Sequence, residues 1–89
     1  MKKIIDPFTV NLPSIDLHGL DRILARIKVE EFINDSIKLK YKKILIIHGI
    51  GEGILREEVN KILKNNKHVE SFNINGINVG CTIVNLKID

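Results

Sequence analysis

The chain reads as an α/β domain of order β-α-β-α-β-β, with four strands and two helices. Three observations predict it. Ile44-Leu45-Ile46-Ile47 is an uninterrupted apolar run, as in a strand lying deep in a sheet or covered on both faces. On either side, apolar residues recur at helical spacing: Ala25, Val29, Phe32 and Ile33 before it, Leu55, Val59, Ile62 and Leu63 after it. The final stretch alternates instead. Thr82, Val84, Leu86 and Ile88 are interleaved with Asn85 and Lys87, the period of a strand with one wet face.

The elements follow in order. Residues 1–13 carry Pro7 and Pro13 without sustained periodicity and read as an extended arm, and 14–89 as the domain. Ser14 to His18 is a short strand closed by Gly19. Asp21 caps a helix that runs to about Leu39, with Ile27 and Ile37 flanking its core stripe. Residues 43–47 form the second strand. The second helix runs from about Ile54 to Asn66, with Glu57 and Glu58 near its positive end and Lys64 and Lys67 near its negative end. Val69 to about Asn75 is the third strand, Asn75-Gly76 a turn, and Cys81 to Ile88 the fourth.

Bulk properties narrow the classes. Eighty-nine residues make one domain with a modest core. A composition 44% apolar and 28% charged is that of a folded soluble protein. The net charge of +3 permits a nucleic-acid partner without requiring one. The single cysteine, Cys81, excludes an internal disulfide or a cysteine-rich zinc site and reads as a small buried filler. No stretch reaches membrane-spanning length, and the amino-terminal residues lack a signal-peptide pattern, so a cytoplasmic location without membrane contact is expected.

The chemistry sits at two strand ends. A helical crossover joins the first two strands, so as neighbours they run parallel and their carboxyl ends share one edge. Ligands of open α/β sheets bind beyond such ends. Both ends carry His-Gly, as His18-Gly19 and His48-Gly49, which predicts two imidazoles facing one crevice. Asp16 and His18, two apart on a strand, leave the same face and make an acid/base couple or two ligands for a divalent ion. Alternatively, Asp16 caps the following turn and His18 fills space.

His48 opens a turn with Gly49, Gly51 and Gly53 that leads into a helix start, a geometry suited to an anion. The spacing meets neither the Walker nor the Rossmann pattern. Arg56, one turn into the helix, is placed to grip a phosphate or to pair with Glu52 or Glu57. Thr82 either offers a hydroxyl to the crevice or packs. Lys38, Lys40, Lys42 and Lys43 form a basic run at the opposite edge, suited to a solvated connection or a long polyanion. Tyr41 and Phe72 are the candidates for base stacking, a poor platform at 4% aromatics.

Ile15-Asp16-Leu17-His18-Gly19 and His48-Gly49-Ile50-Gly51-Glu52-Gly53-Ile54-Leu55-Arg56 together resemble the two signature motifs of the Smr (small MutS-related) domain family. Gly80-Cys81-Thr82-Ile83-Val84 resembles a third, softer feature, a glycine before a Thr-x-Val strand. Ile15 replaces the family's usual leucine, Leu24 stands where an acid is frequent, and Asn78 where a glycine is common. The resemblance spans about residues 13–88. It implies a two-layer sandwich with a mixed four-stranded sheet, similar to the C-terminal domain of translation initiation factor three. It further implies nucleic-acid binding and, in many members, endonuclease activity on RNA or on branched or nicked DNA, in some cases on messenger RNA at ribosomes.

The leading expectation is therefore an endonuclease cutting phosphodiester bonds, RNA ahead of DNA. Gly49, Gly51, Gly53 and Arg56 hold phosphate, Asp16 orients His18 or binds a divalent cation such as Mg or Mn, and His18 and His48 share acid and base roles. A non-cleaving nucleic-acid or ribosome binding module is the alternative, and a protein-interaction domain a third. A monomer or weak homodimer is expected.

Overall fold

The structure is a computed structural model and describes residues 12–50, 53–74 and 79–88. Its elements are β1 (Ser14–Asp16), α1 (Arg22–Lys38), β2 (Lys43–Ile47), α2 (Ile54–Asn65), β3 (Val69–Ile74) and β4 (Cys81–Leu86). The order β-α-β-α-β-β is the one the periodicities predict. The predicted arm lies almost wholly outside the described residues, as do Gly51, Glu52 and the Asn75-Gly76 turn.

The strands form one sheet in the order β1-β2-β4-β3. β1 and β2 are parallel neighbours, with Asp16 opposite Ile47. β4 runs antiparallel to β2, with Cys81 opposite Ile47, and β3 runs antiparallel to β4. Two helical crossovers make β1, β2 and β3 run in the same direction, because each returns the chain to the starting edge before the next strand begins.

The pleat sorts the apolar residues. Ile44, Ile46 and Val84 are fully buried and share a face, since Ile44 pairs with Val84. Against that face pack Ala25, Val29 and Ile33 of α1 and Val59 and Leu63 of α2. Each fully buried aliphatic side chain contributes roughly 1.5–3 kcal/mol. Leu45 and Cys81, on the other face, are buried too, so β2 is covered on both faces.

α1 starts where the Asp21 side chain accepts the Leu24 amide at 2.8 Å. It ends in a Schellman motif: Tyr41 N–H donates to the Ser36 carbonyl and Lys40 N–H to the Ile37 carbonyl. Lys40 occupies the left-handed position of that motif, at φ 61°. Arg26 of α1 pairs with the buried Glu58 of α2 at 3.2 Å and joins the helices across their shared groove.

Four expectations are corrected. Ile27 is half exposed rather than part of the core stripe. Its position falls between the stripes of a helix whose buried face is Ala25, Val29, Ile33 and Ser36. β1 stops at Asp16 instead of His18, because the chain turns there. β4 stops at Leu86 rather than Ile88, where Lys87 N–H turns to the His68 carbonyl. Phe72 packs against the core and offers no open stacking surface.

Candidate active site at the strand-end turns

Parallel pairing of β1 and β2 carries their carboxyl ends to one edge. Leu17 N–H donates to the Ile47 carbonyl at 2.8 Å, so the pairing persists up to the two His-Gly turns. β4 enters from the same edge. The Gly80 carbonyl accepts from both His48 N–H and Gly49 N–H, each at 2.9 Å. Three segments distant in sequence are thereby tied at one place.

In the first turn, the Asp16 carboxylate accepts from the His18 main-chain amide at 2.9 Å. Leu20 N–H donates to the Leu17 carbonyl, and Gly19 takes φ 82°. This is an Asx turn, and it is why the strand ends early. Asp16 and His18 are both exposed. Among the described residues the carboxylate makes no bond to the imidazole, and the His18 ring has no hydrogen-bond partner. Of the two readings of Asp-x-His, the turn cap is the one present in the geometry, and it leaves the imidazole open to solvent.

The second turn differs. His48 is only 5% exposed. Its Nδ1–H donates to the Gly49 carbonyl at 2.9 Å, which leaves Nε2 to accept the Thr82 hydroxyl at 2.8 Å. Gly49 adopts φ 82°. Burial holds the His48 pKa below its ordinary 6.5 and the nearby Arg56 charge lowers it further, while the Gly49 bond pulls the other way. His48 is therefore a neutral, positioned imidazole behind the turn. Thr82 is fully buried and serves that imidazole rather than the crevice. Parity carried the signal: His48 continues the inward series Ile44, Ile46, and Thr82 lies opposite Ile46 on the same face. Asp16, opposite Ile47, starts from the other face.

α2 begins at Gly53, whose φ is 82° and which supplies no side-chain cap. Among the described residues no side chain caps the amides of the first turn. The Arg56 guanidinium folds back over this end, with Nη2 3.4 Å from where a Cβ on Gly53 would lie. Among the described residues Arg56 makes no ion pair, so its pairing with Glu57 is not formed. Gly51 and Glu52, between the two described halves of the motif, lie outside the described residues. Lys42 and Lys43 stand at the far end of β2, on the opposite edge, with Tyr41 beside them. No three His, Cys, Asp or Glu side chains converge on a metal position among the described residues. The Asp16 carboxylate accepts one main-chain amide and keeps further lone pairs exposed to solvent. No helix among the described residues is long and apolar enough to cross a membrane.

Comparison with known proteins gives this edge a context. A family model described as the Smr domain matches residues 15–87. Endonuclease MutS2 of Clostridium kluyveri is 38% identical over 77 residues, which cover 83% of this chain and 10% of that protein. Endonuclease MutS2 of Streptococcus gordonii is 42% identical over 76 residues, covering 82% of this chain and 10% of that one. The chain thus spans about a tenth of the length of the curated relatives it matches. The crystal structure of the Smr domain of Thermus thermophilus MutS2 aligns with a TM-score of 0.83 at 29% identity, covering 85% of this chain and 99% of that chain. YdaL, a stand-alone small MutS-related protein from Escherichia coli, aligns with a TM-score of 0.80 at 24% identity, covering 83% and 63%, a likeness of fold. The match over residues 15–87, the shared fold and the two His-Gly turns on one edge together establish that the chain belongs to the Smr domain family.

Proposed function

We propose that this chain is a nucleic-acid-directed endonuclease that cuts phosphodiester bonds, with RNA its preferred substrate. One observation carries the reading. An exposed histidine in an Asx turn and a helix start that, among the described residues, has no side-chain cap and lies under an arginine without an ion pair flank the same strand end. The Smr relatives named as endonucleases support the same class of chemistry.

In this reading the first-turn amides of α2 and the Arg56 guanidinium hold one phosphate. His18 is the proton acceptor, its imidazole standing exposed beside the turn. On RNA it removes the proton of the 2′-hydroxyl. That oxygen bonds to the adjacent phosphorus and the bond from phosphorus to the 5′-oxygen breaks. The products are a 2′,3′-cyclic phosphate and a 5′-hydroxyl, the latter protonated from water. Arg56 offsets the charge that builds on the phosphate oxygens. His48 takes no proton in this scheme; its bonds to Gly49 and Thr82 fix the turn. Asp16 sets the position of His18 through the main chain. No step of this scheme is routed through a metal ion.

The test uses labelled RNA and its 2′-deoxy counterpart, each with and without a chelator. Cleavage of RNA alone, lowered by roughly 10²-fold or more in His18→Ala, is expected. Asp16→Asn keeps an oxygen acceptor for the His18 amide and separates the turn from the charge. It is expected to retain most activity, whereas Asp16→Ala loses it with the turn. Undiminished cleavage by His18→Ala removes this assignment. A second reading, a binding module without cleavage, draws on the absence of a bond between Asp16 and the His18 ring. It requires salt-sensitive binding with no strand scission under any metal condition.

A further inference from the structure

We propose that the sheet edge opposite the His-Gly turns is a second nucleic-acid surface, a lysine platform that anchors the phosphate backbone. The proposal rests on the nucleic-acid reading above and names a separate site for it. The argument begins with where the charges fall.

The start of β2, the end of β4, the start of β3 and the carboxyl end of α1 meet at this edge. Leu86 N–H donates to the Lys42 carbonyl, and Lys87 N–H to the His68 carbonyl. Lys38, Lys40, Lys42, Lys43, Lys67 and Lys87 therefore gather there, and all six are exposed. Among the described residues the one ion pair is Arg26 with Glu58, on the helix layer, so none of these lysines is paired. A groove of about 510 Å³ runs between Lys42 and Lys87, with Asn85 and the carboxylate of Glu70 also on its walls. The motif edge is the reverse. There Arg22 and Arg56 are outweighed among the described residues by Asp16, Asp21 and Glu57. That edge can hold one phosphate but does not by itself draw in a polyanion.

Helix dipoles explain only part of the cluster. Lys38 lies in the last turn of α1, where a cation is favoured. Lys40, Lys42, Lys43, Lys67 and Lys87 lie outside both helices. Lys40 is the most telling, because it fills the left-handed place where a helix ending normally takes glycine. A lysine there is less stable than glycine, and it adds charge to a crowded edge.

β2 separates the two edges. Its five residues, at about 3.3 Å each, span about 17 Å. A duplex presents about ten backbone charges over that length, so the two edges contact different phosphates of one nucleic acid. An anionic membrane fits less well. Leu39 and Tyr41 are the large apolar side chains exposed here, and no helix turns an apolar face toward this edge.

The test measures binding of labelled RNA and duplex DNA against salt by fluorescence anisotropy. A Lys42→Gln, Lys43→Gln, Lys87→Gln variant is expected to bind at least about tenfold more weakly at 50 mM salt, with the log–log salt slope smaller by about 2–3. Lys40→Gly provides a control that folding loss cannot imitate: it is expected to be more stable in urea yet to bind several-fold more weakly. If the triple variant binds like the parent while Arg56→Ala does not, the platform is wrong and the endonuclease reading stands. If the parent binds no nucleic acid, both fall. Capture by anionic lipid vesicles, lost in the triple variant while RNA binding is unchanged, overturns the assignment to nucleic acid.

Discussion

His48 shows how one side chain can carry two readings at once. Its place at the mouth of a glycine turn marks it for function, whereas its parity with Ile44 and Ile46 marks it for burial. The structure gives both: the imidazole is buried, and its bonds to Gly49 and Thr82 hold the turn. This has a pH signature. Burial, reinforced by Arg56, keeps the folded-state pKa below 6.5. As pH falls below that value the unfolded chain binds more protons than the folded one, so stability decreases as pH decreases. The His48 contribution is complete above 6.5 and is lost progressively as pH drops toward the lowered folded value. Urea midpoints measured from neutral pH downward should therefore decline through this window. A His48→Asn variant should start less stable and show a shallower decline. Asp16 offers the converse lesson. The sequence left open whether it caps a turn or steers an imidazole, and only the 2.9 Å bond to the His18 amide decides between them.

Among the elements, the helix at the second turn carries the most consequence. Its first residue follows a glycine in the left-handed region, and the Arg56 guanidinium occupies the space beside that glycine. Gly53→Ala therefore has two effects. The backbone strain costs roughly 1–2 kcal/mol, and the new methyl at 3.4 Å presses on Arg56. Phosphate affinity, followed by titration of a short labelled oligonucleotide, is expected to fall by more than the stability loss accounts for. A variant that binds as well as the parent would separate Arg56 from the anion site. Element boundaries were readable wherever periodicity or a cap set them. Asp21, β2 and the two helical stripes appear where the residues place them. β1 was overextended because a side chain competing for a main-chain amide leaves no trace in hydrophobic pattern.

For the whole molecule, the crossovers made the topology legible. Two helices between three strands predict the parallel pair, and with it the shared edge. The position of β4 between β2 and β3 was not legible, because a single hairpin can add to either side of a sheet. That placement matters most for the site. Because the Gly80 carbonyl holds the amides of both His48 and Gly49, the turn opens only when β4 leaves the sheet. Hydrogen exchange should show these two amides protected as strongly as those of β4, not as weakly as an exposed loop. Fast exchange at His48 with β4 intact would refute that coupling.

The same carbonyl has a consequence in time. Both His-Gly turns precede in sequence the residues that hold the second of them, Gly80 and Thr82. A nascent polypeptide thus carries both His-Gly turns before it carries the residues that fix His48 in place. Alignment of the second turn therefore waits until β4 emerges and docks.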